Sequence, residues 1–285
     1  MSVVISADST ADLTPELCER LNVRVNPNPI IRGEEQLLDG VDIQPEGVFE
    51  YYEKNGKLVK TCAPNAGEYL AFLQSELDSG NEIVHFTISA EMSASNGIAR
   101  SLCSEFAGLY VVDSRNLSTG IALLVMLAAE LRDKGLPAKE IYDEVTAATK
   151  KVDASFILDT LEFLHKGGRC SGLAAFGANL LKLKPCIEVR DGKMGVGKKY
   201  RGKLADVQLE YIADRLKSPE DIDTSRIFIT HSGCSDELVE SAKAEVLKHV
   251  KFDEVLVTRA GCAISVHCGR NTLGILFVRK TDVAI

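Results

Sequence analysis

The stretch Ile83-Val84-His85-Phe86-Thr87-Ile88-Ser89-Ala90-Glu91-Met92-Ser93-Ala94-Ser95-Asn96 starts apolar and ends in a cluster of hydroxyls. Gly97 to Leu102 then reads as the opening of a helix, with Ser93 or Ser95 suited to be its N-cap. A strand that empties into such a helix start brings together unpaired backbone N–H groups, the positive end of the helix dipole and short Oγ donors. That is chemistry for holding an anion. An ordinary capped βα turn uses the same residues, so the segment alone leaves both readings open.

Other residues invite chemistry of a different kind. His267 lies between Ala260 and Gly269 among small neighbours, and with Ser93 it could make a serine hydrolase, although no G-x-S-x-G elbow occurs. His231-Ser232-Gly233, at the end of an expected strand, is explained by a capped turn. Gly192 to Lys198 matches G-x-x-x-x-G-K, yet Lys199 stands where a phosphate loop needs Ser or Thr for magnesium, which argues against nucleotide binding. Eight cysteines are spread along the chain without a C-x-x-C, so buried thiols are expected for most of them. Cys262 and Cys268 flank His267 with no zinc spacing, and no metal site is expected.

The elements that must position these groups alternate in the first half. Val3–Ala7, Glu82–Ile88 and Leu109–Asp113 are β-rich, each followed by a helical stretch, and Asp8, Ser89 and Asp113 fall at strand ends. Thr14-Pro15-Glu16 opens one helix and Asn65-Ala66-Gly67-Glu68 resembles a capping box for another that runs to Asp78. This βαβα rhythm predicts a mainly parallel sheet covered by helices, which binds ligands beyond its carboxyl strand ends. The second half carries a small-residue helix around Leu173 to Leu181 and a hairpin from Ile187 to Tyr200 turning at Asp191-Gly192. Later strands are expected at Arg226–Thr230, Glu254–Thr258 and Thr272–Val278. The expectation is therefore two domains with the ligand between them. Residues 1–151 form a parallel-sheet α/β domain, in which residues near 60–80 are able to pack against the other, and 152–285 form an α+β domain.

At 285 residues, with 45% hydrophobic residues and a mean hydropathy of +0.02, the chain has the composition of an ordinary globular protein. The longest apolar run, Gly120 to Ala129, is too short for a membrane span and reads as a buried helix. Met1 to Ser6 looks like a first strand and not a signal peptide, so a cytoplasmic protein is expected, with at most transient membrane contact. A net charge of −8 argues against nucleic acid as a partner, and the basic strip Lys193 to Lys203 reads as a solvated hairpin.

Taken in order, Ile5-Ser6-Ala7-Asp8-Ser9-Thr10-Ala11-Asp12-Leu13, Val112-Asp113-Ser114 and Leu158 through Gly167-Gly168-Arg169 resemble the DegV family over essentially the entire chain. Lys184-Pro185, Asp191-Gly192 and Tyr200-Arg201-Gly202 complete the pattern. The resemblance implies a lipid-binding protein without catalysis of its own and without a cofactor. It would hold one long-chain fatty acid, such as palmitate, in a buried tunnel. The carboxylate would be presented to the ATP-binding subunit of a bacterial fatty-acid kinase, which forms the acyl-phosphate used in phospholipid metabolism. It further implies that Thr61, Ser93, His267 and Arg201 serve the carboxylate or the kinase, with Cys62, Ser89 and Ser95 as additional candidates.

The chain departs from the family pattern at several of these places. Cys62-Ala63 replaces Ser-Gln after Thr61, Ala90 replaces a Ser, and Cys268-Gly269-Arg270 follows His267 in place of Gly-Pro-Gly. These changes leave open a carrier of a different apolar carboxylic acid. For a C16 acid, burial of roughly 14 methylenes is worth about 11 kcal/mol before ordering costs. The carboxylate then needs paired donors, because an unpaired buried charge is expensive.

Overall fold

The computed structural model describes residues 2–170 and 183–283. The expected helix at 173–181 lies outside them. In the first half the strands are β1 (Val3–Asp8), β2 (Val23–Asn26), β3 (Pro29–Arg32), β4 (Glu35–Leu38), β5 (Lys60–Thr61), β6 (Glu82–Thr87) and β7 (Leu109–Asp113). Four of them form a parallel sheet in the order β2-β1-β6-β7, with Ile5 opposite both Val23 and Val84. The apolar β1 and β6 lie at the centre of that sheet, as continuous apolar runs do when both faces are covered.

The helices of this half start where local chemistry tells them to. For α1 (Pro15–Leu21), Thr14 Oγ1 accepts from Leu17 N at 3.3 Å and proline takes the first position. For α3 (Ala66–Asp78), Asn65 Oδ1 accepts from Glu68 N at 3.0 Å while Asn65 N donates back to Glu68 Oε2 at 2.8 Å. That is the expected capping box. Between them lies α2 (Pro45–Asn55), and after β6 comes α4 (Ser95–Ser101). Neither Ser93 nor Ser95 caps α4, which corrects the sequence reading. Ala94 holds the N-cap position with αR torsions, while Ser93 Oγ accepts from Ser95 N at 3.2 Å.

Two longer helices, α5 (Thr119–Asp133) and α6 (Ala138–Ala148), close the half. The second half builds β8 (Val152–Ile157), α7 (Glu162–Gly167), β9 (Lys184–Arg190), β10 (Lys193–Tyr200), α8 (Leu204–Arg215) and β11 (Ile222–Ser232). It continues through α9 (Asp236–His249), β12 (Glu254–Arg259), α10 (Cys262–Cys268) and β13 (Thr272–Arg279). Its sheet runs β10-β9-β8-β13-β11-β12, antiparallel except for β11 beside β12. The β9–β10 hairpin turns at Asp191 and Gly192, both with positive φ, as a type I′ turn requires. The G-x-x-x-x-G-K run thus lies in this hairpin's turn and second strand, not in a loop that opens a helix.

The two sheets are joined by α5. Ten of its residues from Thr119 to Ala129 are buried. Ile121, Leu124 and Val125 share one core with Ile5, Phe86 and Val112 of the parallel sheet and with Phe156, Phe228 and Leu276 of the mixed sheet. A helix that is apolar all round is expected in such a position.

A third, small sheet, β4-β3-β5, was not foreseen. Its strands are four, four and two residues long, too short for a clear alternating pattern. This sheet and α2 rest on the second half, where Ile30, Val48, Phe49 and Val59 pack with Cys262, Ala263 and Val266. By contrast α3 packs on the parallel sheet through Tyr69 and Leu73, and of residues 60–80 it is Thr61 that reaches α10.

Candidate functional site

The short helix α10 carries His267, and sequence reasoning saw no helix there. Its seven residues gain little from intrinsic propensity, and six of them are buried. Its N-terminus is capped from the other half of the chain. Asp39 accepts from Cys262 N at 2.8 Å and from Ala263 N at 3.2 Å, and Asp12 Oδ1 accepts from Gly261 N at 2.8 Å. Acceptor oxygens at this end satisfy the orphan N–H groups. Burial, with the nearby Asp39, raises the Asp12 pKa to about 8 against the lowering effect of its bonds from Ser118 and Gly261.

At the far end of α10, His267 Nε2 lies 3.2 Å from Thr61 Oγ1 on β5. Its Nδ1 is buried without a partner among the described residues and is packed against Gly167. A Cβ at position 167 would stand 2.2 Å from that nitrogen, so only glycine fits there. Burial, then the nearby Arg169, lowers the His267 pKa to about 4, and the ring is neutral at pH 7. The next residue, Gly168, closes α7 at φ 68°. The Gly167-Gly168 pair therefore has two separate causes, one steric and one torsional.

Thr61, Cys62, Ser93, Ser95 and His267 all line one cavity between the two halves of the chain. Its cavity volume is about 80 Å³, and its mouth is open to solvent. Ser93 Oγ and Ser95 Oγ are 2.9 Å apart, with Ser93 half-buried at the wall. Arg169, missed in the sequence reading, lines the cavity too, and its Nη1 donates to Gly167 O at 2.5 Å. Its place after the glycine pair was the available signal.

Other candidates lie elsewhere. Arg201 is exposed and does not line the cavity. Ser89 is fully buried and acts as a strut, its Oγ donating to Gly192 O at 2.8 Å and so tying the loop after β6 to the hairpin turn. A Cβ on Gly192 would come within 2.7 Å of that oxygen. Asp8 and Asp113, at strand ends, are likewise occupied: Tyr69 donates to Asp8 Oδ2 at 2.7 Å, and Ala90 N and Arg115 N donate to Asp113 Oδ1.

Most of the remaining wall is apolar, with Ile88, Leu117, Leu164 and Ile264 among its members, and Thr10 and Asn28 complete it. Leu117, Ile264 and Cys268 also line a second, small cavity of about 30 Å³, whose walls include Phe156 and Leu276 of the mixed sheet. The walls thus offer hydroxyls, a neutral imidazole and a guanidinium beside hydrocarbon. Hydrolase geometry is not what forms. His267 pairs with Thr61 while Ser93 pairs with Ser95, and among the described residues no group orients Nδ1 as a nucleophile–base pair requires.

A cavity with polar and apolar walls, set between a parallel and a mixed sheet, belongs to a two-sheet α/β protein. The chain belongs to the DegV family, whose model, described as an uncharacterised protein family, matches residues 2–280. A DegV domain-containing protein of Deinococcus radiodurans is 29% identical over 96% of this chain and 98% of its own length. Among solved structures, a fatty-acid-binding DegV family protein from Thermus thermophilus superposes with a TM-score of 0.89. It is 28% identical and covers 98% of this chain and 100% of its own. A stearic acid-binding protein from Eubacterium ventriosum gives 0.82 at 25% identity, over 98% of this chain and 99% of its own. No helix among the described residues is long and apolar enough to cross a membrane.

Proposed function

We propose that this protein is a carrier that binds one long-chain fatty acid and presents its carboxylate to a separate fatty-acid kinase for conversion to the acyl-phosphate. The observation that carries the reading is the cavity's polarity. Thr61, His267, Ser93 and Arg169 stand on its walls as donors, and the apolar wall of Leu117 and Ile264 leads toward a second apolar chamber. The fatty acids named for the related Thermus and Eubacterium proteins support the same ligand class. In this reading Arg169 takes the charge-assisted bond to the carboxylate. Thr61 and Ser93 donate to it, and neutral His267 orients Thr61. Arg201, exposed after β10, serves the docking kinase and not the lipid. The chain itself supplies no phosphoryl chemistry.

The purified protein is expected to carry about one fatty acid per chain, which native mass spectrometry and lipid extraction read directly. Thr61→Ala and Ser93→Ala should each weaken binding by ~1.5–3 kcal/mol, the worth of a hydrogen bond to a charged group, with little change in Tm. Arg201→Ala should leave lipid binding intact and lower the acyl-phosphate yield with kinase and ATP. Delipidated protein that takes up no C14–C18 acid in a displacement assay would sink the carrier reading. Esterase activity of the isolated chain that vanishes in Ser93→Ala would favour a hydrolase.

A further inference from the structure

Two polar side chains in the cavity wall are not needed by a plain fatty acid. Thr10, in the turn after β1, is 5% exposed, lines the cavity, and its Oγ1 has no hydrogen-bond partner among the described residues. Asn28, 3% exposed, lines the same cavity from the link between β2 and β3. Ser9 Oγ accepts from Asn28 N and has a single proton, which Asp39 Oδ2 at 2.9 Å and Asn28 Oδ1 at 3.0 Å both face, so Ser9 meets only one end of the Asn28 amide. Burying a hydroxyl or an amide against methylene groups alone is costly, because such a chain returns no hydrogen bond. Ile30 pairs with Thr61 across β3 and β5, and Cys62 N donates to Pro29 O, so Asn28 stands two residues before the partner of Thr61, about 7 Å along the strand, and Thr10 is next in sequence to Ser9, which contacts Asn28.

We infer that Thr10 and Asn28 form a second polar subsite for a hydroxyl group on one of the first carbons beyond the carboxylate, so that the preferred ligand is a 2- or 3-hydroxy fatty acid. A ligand hydroxyl has one donor and two acceptor positions, enough to satisfy Thr10 Oγ1 and the free end of the Asn28 amide together. The inference rests on the carrier reading and narrows it. It accounts for two buried polar groups that a carboxylate held by Thr61, Ser93 and Arg169 leaves unused.

The test is a displacement assay on delipidated protein with palmitic, 2-hydroxypalmitic and 3-hydroxypalmitic acids, run on wild type, Thr10→Val and Asn28→Leu. Thr10→Val conserves shape, and Asn28→Leu is an independent check should it fold poorly. One hydroxy acid should bind about ten-fold tighter than palmitic acid to wild type. Both variants should bind palmitic acid at least as well as wild type does and lose the preference. Equal or tighter binding of palmitic acid by wild type overturns the inference and leaves the carrier reading standing. Variants that lose all three acids in equal proportion overturn it too, and would make Thr10 and Asn28 carboxylate ligands. Wild-type protein that binds none of the acids removes the carrier reading along with it.

Discussion

At the scale of single residues, the site depends on an absent side chain as much as on those present. His267 keeps its place because Gly167 leaves room for Nδ1. Gly167→Ala would drive a methyl group into the imidazole and break the 3.2 Å contact between Nε2 and Thr61 Oγ1. Overpacking of this kind costs about 1–3 kcal/mol. The expected outcome is a Tm lower by several degrees together with weaker fatty-acid binding, measured by thermal unfolding and lipid displacement on the same preparation. If binding is unchanged, His267 plays no part in holding the head group. Replacing the neighbouring Gly168, which has φ 68° and open space where a Cβ would go, should cost stability by strain alone and leave the ligand site untouched.

At the scale of elements, the weakest part of the site is α10, a seven-residue helix whose first N–H groups are satisfied by Asp39 and Asp12 from distant parts of the chain. Asp39→Ala would leave Cys262 N and Ala263 N buried without partners, at a cost of about 1–3 kcal/mol each before relaxation. Chemical denaturation should register a loss near 2 kcal/mol or more, and lipid affinity should fall with it because His267 rides on the same helix. Asn65→Ala is the matching control. It removes the local cap of α3 at a cost of about 1 kcal/mol and should leave lipid binding unchanged. Equal effects of the two variants on binding would mean that α10 is held in place by its apolar contacts alone.

At the scale of the whole molecule, two buried groups give the stability of the fold an asymmetric pH dependence. His267, lowered to about 4, stays neutral in the native state while the unfolded chain takes up a proton below about 6.5. Its contribution is complete above pH 6.5 and is lost as pH falls toward 4. Asp12, raised to about 8, keeps its proton in the native state while the unfolded chain releases it above about 3.8. Its contribution has the opposite sign and is lost as pH rises toward 8. Between about pH 4 and 6.5 the two slopes offset each other, and from 6.5 to 8 the Asp12 slope is left alone. Thermal unfolding should therefore show a Tm that declines from pH 6.5 to 8, with the decline reduced in Asp12→Asn. His267→Gln should remove the offset at the acidic side, so that stability then rises as pH falls from 6.5 toward 4. A wild-type Tm that climbs from pH 6.5 to 8 would mean that Asp12 is ionised in the native state.

What could be read from the sequence were features with causes a few residues long. The α3 capping box, the Thr14-Pro15 helix start, the Asp191-Gly192 hairpin and the parallel βα rhythm of the first half each depend on neighbours in the chain, and each formed as expected. The buried character of α5 was legible for the same reason, since an apolar run interrupted by no charge has no exposed face to offer. The rest was decided between distant segments. Helix α10 is capped by residues more than two hundred positions away, so nothing within Cys262 to Cys268 announces it. Ser89 looked like an anion ligand and became a strut because the hairpin turn came to rest against it. Arg169 and not Arg201 reached the cavity, because side chains of equal chemistry are sorted by where their backbone lies after folding. Thr10 and Asn28 became polar groups in the cavity wall only when the turn after β1 and the β2–β3 link came to line it. Residue types set which bonds this chain could make, and tertiary packing chose among them, because the cost of an unpaired buried group is incurred only once folding has removed the water.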